Sequence, residues 1–73
     1  MASVNVESEV TGKVWKIEAS IGDNVDEGDV LMILESMKME IPVESPVSGT
    51  VTELRVRKDD SVDEDQVIVV IEQ

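Results

Sequence analysis

Val6-Glu7-Ser8-Glu9-Val10-Thr11-Gly12-Lys13-Val14 returns, offset by 37 residues, as Val43-Glu44-Ser45-Pro46-Val47-Ser48-Gly49-Thr50-Val51. The same offset carries Val25-Asp26-Glu27 onto Val62-Asp63-Glu64, Val30 onto Val67 and Glu35 onto Glu72, without a gap. Such self-similarity marks one supersecondary unit written twice. Half of a 73-residue chain is too short to close a core of its own. The two copies must therefore pack together, with approximate two-fold symmetry. The expectation is one domain over residues 1–73, made of quasi-repeats over about residues 1–36 and 38–73.

The apolar residues say what each copy is made of. Fourteen Val and six Ile stand against three Leu. Branching at Cβ costs rotamer freedom in a helix and packs well on a pleated surface. Trp15, Ile17, Ala19 and Ile21 alternate with Lys16, Glu18 and Ser20, as in a half-buried strand, which places Trp15 in core or groove packing. Continuous apolar runs at residues 30–34 and 67–71 read as short strands covered on both faces. Acidic and glycine-bearing clusters separate them: Gly22-Asp23-Asn24, Asp26-Glu27-Gly28-Asp29, Asp59-Asp60-Ser61 and Asp63-Glu64-Asp65. Gly12 and Gly49 are expected in tight turns, and Gly22 and Gly28 in conformations that side chains disfavour. No stretch holds a 3.6-residue apolar period, so the class is all-β with many short strands. The clustered aspartates miss the spacing of an EF-hand loop and are read as solvated turns, with no metal site.

Composition narrows the chemistry. The chain has no cysteine and no histidine, which excludes a disulfide framework, the usual Cys/His zinc site and a thiol nucleophile. Seventeen acids against six bases give a net charge of −11. Such a polyanion repels nucleic acid and anionic membrane surfaces. One aromatic residue, Trp15, offers no base-stacking platform. The chain is poorly sized for an enclosed active site, so a stand-alone enzyme is not expected. Its longest apolar runs are too short to cross a bilayer, and Met1-Ala2-Ser3-Val4 does not begin a secretory signal, so a cytoplasmic protein is expected.

One site stands out. The repeat makes Ser36-Met37-Lys38 the link between the copies, with strands ending near Glu35 and restarting near Met39. That link is a tight hairpin, and the chain termini occupy its symmetry-equivalent place at the other end. Lys38 is the only base between Lys16 and Arg55, an interval holding nine acids. A single exposed amine on a stiff hairpin tip is what a covalent tether requires. An ordinary lysine amine is not self-activated as a nucleophile; if Lys38 is acylated, another protein must take its proton and deliver an activated acyl group. Met37 and Met39 bracket it with flexible thioethers of the kind favoured at adaptable recognition surfaces. On residue type alone, an ordinary solvated turn lysine fits equally well.

Glu35-Ser36-Met37-Lys38-Met39 resembles the attachment sequence of biotinyl domains, in which Met-Lys-Met carries the biotinylated lysine. Residues 22–31, Gly22-Asp23-Asn24-Val25-Asp26-Glu27-Gly28-Asp29-Val30-Leu31, resemble the segment upstream of that lysine. Ser45-Pro46-Val47-Ser48-Gly49-Thr50-Val51 resembles the segment downstream. The resemblance spans essentially the whole chain. It implies a flattened β-barrel or sandwich of two four-stranded antiparallel sheets, a barrel-sandwich hybrid with quasi-two-fold symmetry. It also implies biotin, joined to Lys38 by a biotin protein ligase through Glu35, Ser36, Met37 and Met39. The loaded arm would swing between a biotin carboxylase and a carboxyltransferase, and the chain would be a monomeric carrier acting as substrate and subunit of carboxylase-type enzymes. Lipoyl domains share the fold but usually carry Asp-Lys-Ala. A lipoyl carrier of the 2-oxo acid dehydrogenase type, loaded by a lipoate ligase, or a dual acceptor, is the alternative reading. An unmodified protein-interaction domain is the second alternative. Ser36 departs from the Ala most often found there, and the gapless repeat leaves no room for the protruding thumb that some biotinyl domains insert.

Overall fold

A computed structural model describes residues 2–73. Its strands are β1 (Ser3–Glu7), β2 (Gly12–Ile17), β3 (Asn24–Val25), β4 (Val30–Ser36), β5 (Met39–Glu44), β6 (Gly49–Leu54), β7 (Ser61–Val62) and β8 (Val67–Glu72). They form two four-stranded antiparallel sheets, ordered β1-β8-β6-β3 and β5-β4-β2-β7. The expected class and sheet architecture are thus observed. Each sheet takes two strands from each repeat, so neither copy can complete a sheet alone.

The two-fold relation extends to individual hydrogen bonds. Ser8 Oγ donates to the Val10 carbonyl, and Ser45 Oγ to that of Val47. Both serines are buried. The Gly28 N–H donates to Ser45 O and the Asp65 N–H to Ser8 O, so each repeat closes its turn on the other. Asp23 and Asp60 each accept the backbone N–H three residues earlier, from Ser20 and Arg57. Asp29 does the same for Asp26, with Gln66 in its place in the second copy. The polar clusters are therefore self-closed turns, in which short side chains replace missing ladder bonds.

Between the sheets lie Val14, Leu31, Met32, Leu34, Val51, Val62, Ile68, Val69 and Ile71, all essentially inaccessible. The predicted alternation from Trp15 to Ile21 needs correction. Register in the β2–β4 ladder shifts between Val14 and Lys16, leaving Trp15 as a bulge residue. A bulge changes which residues face inward. Val14 and Ala19 are buried, whereas Trp15 is 43% exposed; β2 ends at Ile17, and Ile21 lies exposed beyond it. Val30 is also exposed, so the run at residues 30–34 is not covered on both faces throughout.

The glycines divide by cause. Gly22 and Gly28 have φ of +96° and +92°, with open space where a Cβ would sit. Their repeat partners, Asp59 and Asp65, hold φ of 75° and 71° with side chains. At Gly28 the constraint is thus purely of the backbone. Gly28→Ala is expected to cost roughly 1–2 kcal/mol, and Gly28→Asn less, since asparagine tolerates the left-handed region. Urea midpoints of the two variants check that order. Gly12 and Gly49 are not turn residues as expected. They open β2 and β6, where a Cβ would strike the backbone carbonyl of Glu35 or Glu72.

Candidate functional site

β4 and β5 pair from Val30↔Glu44 to Ser36↔Met39, leaving Met37 and Lys38 as a two-residue turn. Their φ values are 53° and 64°. Two consecutive left-handed residues make the type I′ geometry that matches strand twist. Asn-Gly is its usual sequence. Here two residues with long side chains carry it, at a cost of about 1–2 kcal/mol each. Strain of this kind persists only where the surroundings over-determine it.

The surroundings do so. On its other edge β4 pairs with β2, through Lys13↔Glu35 and Val14↔Leu34. Gly12 lets the two backbones close on each other beside Ser36. Ser36 Oγ donates to the Thr11 carbonyl at 2.9 Å, tying the last residue of β4 to the loop before β2. The turn is therefore a rigid platform.

Its two-fold equivalent is the gap between the chain ends. β1 and β8 pair antiparallel from Ser3↔Glu72, and the Gln73 N–H donates to Ala2 O at 2.9 Å. Met1, expected beside Gln73, lies outside the described residues. The chain leaves this end along β1, passes the buried Ser8, and reaches Thr11 beside the turn. Turn and chain ends thus occupy the two symmetry-related ends of a body measuring 36 × 18 × 17 Å.

At the tip, Met37 is 90% exposed and Met39 60%. Lys38 is exposed and makes no hydrogen bond or ion pair among the described residues. Glu35 and Glu40 face each other across the hairpin, both exposed. Of the remaining lysines, Lys13 pairs with Asp59 at 3.8 Å and Lys16 with Glu18 at 3.3 Å. Lys58 lines a shallow depression with Trp15, Lys16 and Ile17. Lys38 alone stands on a turn between two full-length strands.

The family model described as "Biotin-requiring enzyme" (biotin/lipoyl) matches residues 2–71. The chain belongs to the biotin/lipoyl attachment family. Similar proteins include Biotinylated protein TB7.3 of Mycobacterium tuberculosis, 47% identical over 38 residues, which are 52% of this chain and 54% of that protein. The Biotin/lipoyl attachment protein of Bacillus subtilis is 44% identical over 39 residues, 53% of each chain. The chain matches only about half the length of these curated relatives. The crystal structure of Kluyveromyces lactis urea carboxylase contains the same fold, with a TM-score of 0.93 and 35% identity, covering 99% of this chain and 6% of that one.

In this biotin/lipoyl attachment domain, the structure gathers Glu35, Ser36, Met37, Lys38 and Met39 at one hairpin. Their adjacency in sequence made that grouping legible. Thr11 and Gly12 were not read as part of the tip, although both touch its base. The repeat marked Gly12, but its role depends on the β2–β4 register, which no local motif prints. No helix long and apolar enough to cross a membrane occurs among the described residues.

Proposed function

We propose that this domain is a cytoplasmic, monomeric biotin carrier, with biotin joined by an amide to Lys38 Nζ. The observation that carries the proposal is an exposed, unpaired amine on a strained but rigid two-residue turn. An extended attachment chain fits that position, because among the described residues no carboxylate or backbone group is bonded to the amine. When bound, biotin supplies a ureido nitrogen that carries a carboxyl group. The chain's own residues contribute position. Lys38 is the acceptor, and Met37 and Met39 present apolar thioethers to a biotin protein ligase. Glu35 and Ser36 complete that contact surface, Ser36 by holding the end of β4 against Thr11. Amide formation removes the lysine charge and lowers the desolvation cost of the tip in a partner's pocket. Tethering raises the effective concentration toward mM at a partner site. Biotin carboxylase and carboxyltransferase are the partners this role requires, and the reading is supported by the likeness to a domain of urea carboxylase.

A second reading, attachment of lipoate as well, is favoured by the name of the Bacillus subtilis relative. Intact-mass measurement after incubation with a biotin ligase or a lipoate ligase separates the two. A biotinyl increment only is expected. Met37→Asp with Met39→Ala should slow biotin loading about tenfold or more, as loss of a desolvated apolar contact would, and raise lipoyl loading. Equal loading of the native chain by both ligases would favour a dual acceptor. Loading by neither would leave an unmodified interaction domain.

A further inference from the structure

We propose that Met37 and Met39 form a reversible oxidation site that controls attachment at Lys38. The inference rests on the ligase-contact reading above. Apart from Met1, the chain has three methionines, and the structure sorts them sharply. Met32 is 0% exposed in the core, whereas Met37 and Met39 are 90% and 60% exposed on either side of the acceptor lysine. The chain has no cysteine to compete for a mild oxidant. Met37 lies in the two-residue turn, outside the β4–β5 pairing, and its side chain is left in solvent. Met39 pairs with Ser36 at the end of the β4–β5 ladder, beyond the buried Leu34, and is left largely uncovered.

The chemistry closes with one co-reactant, a hydroperoxide. The thioether sulfur donates a lone pair to one peroxide oxygen, the O–O bond breaks and an S–O bond forms. With hydrogen peroxide the other oxygen leaves as water. Sulfur loses two electrons and the peroxide gains them. The product is a polar, chiral sulfoxide that methionine sulfoxide reductases return to the thioether. Because Met32 is sealed in the core, the fold is untouched while the recognition surface turns from apolar to polar. A ligase pocket built for thioethers must then bury an unmatched sulfoxide oxygen.

The test uses the full, unmodified chain treated with dilute hydrogen peroxide. Peptide mapping should find oxygen on Met37 and Met39 well before Met32. The initial rate of biotin loading should fall about tenfold or more relative to the untreated chain. Treatment with both sulfoxide reductases should restore it. The double variant Met37→Leu, Met39→Leu, judged against its own untreated rate, should lose the peroxide-dependent drop. Equal loading of oxidised and untreated chains would overturn this proposal and leave the carrier reading standing. Oxidation of Met32 as fast as of the tip methionines would overturn it too. Failure of the untreated chain to load at all would instead remove the carrier reading, and this proposal with it.

Discussion

Lys38→Arg is expected to abolish biotin loading, with the variant's stability from urea curves staying within about 0.5 kcal/mol of the native chain. Arginine keeps a long side chain and a positive charge at the turn, so the fold and the local field are preserved. What it removes is an amine that can give up a proton and attack an acyl group, because a guanidinium stays protonated and delocalised. Lys38 is solvent-exposed and unpaired among the described residues, so little packing is lost with it. The other three lysines are not expected to compensate, since none stands on the hairpin turn. Lys13 and Lys16 are held in ion pairs on the face of β2, and Lys58 lies beside Trp15. A streptavidin blot after ligase treatment reads the loss directly, and residual signal above that of a ligase-free control would count against a single acceptor.

Gly12→Ala is the second large effect, and it acts through the base of the tip. A Cβ at residue 12 would collide with the Glu35 carbonyl and crowd Ser36 Cβ at 3.2 Å. Those atoms are strand backbone and the end of the hairpin, so relief requires β2 and β4 to part. Overpacking of this kind costs up to about 3 kcal/mol. A small domain has only roughly 0.05–0.15 kcal/mol of stability per residue, so that is a large share of the total. Gly49→Ala meets the symmetric clash with the Glu72 carbonyl at 2.5 Å and should lose a similar amount. The two variants separate in function. Gly49 lies at the chain-end side, so molecules of Gly49→Ala that remain folded should load at the native rate. Folded Gly12→Ala molecules should load more slowly, because the Ser36–Thr11 tie beside the turn is displaced. Denaturant curves give the stabilities, and loading rates in dilute conditions give the split.

The repeat carried the fold because its matches fall on residues that perform the same task twice. Ser8 and Ser45 close the same buried turn. Asp23 and Asp60 cap the same loop. Val14 and Val51 fill corresponding places in the core. The hairpin was legible because it is the one join between copies, and its turn residues are adjacent in sequence. Trp15 was misplaced because a bulge is a property of two strands, and alternation along one strand cannot show it. Gly12 and Gly49 were misread for a related reason. A glycine demanded by close approach looks, in sequence, like one demanded by a turn; only the Glu35 and Glu72 carbonyls opposite tell them apart. The left-handed pair Met37-Lys38 was equally hidden, since neither residue type announces a positive φ.

The carrier reading is tested most directly by fragmentation mass spectrometry of the native chain after treatment with biotin protein ligase, biotin and ATP. One biotinyl group per molecule, localised to Lys38, is the result expected. An unmodified chain, or a label distributed over Lys13, Lys16 and Lys58, would contradict it.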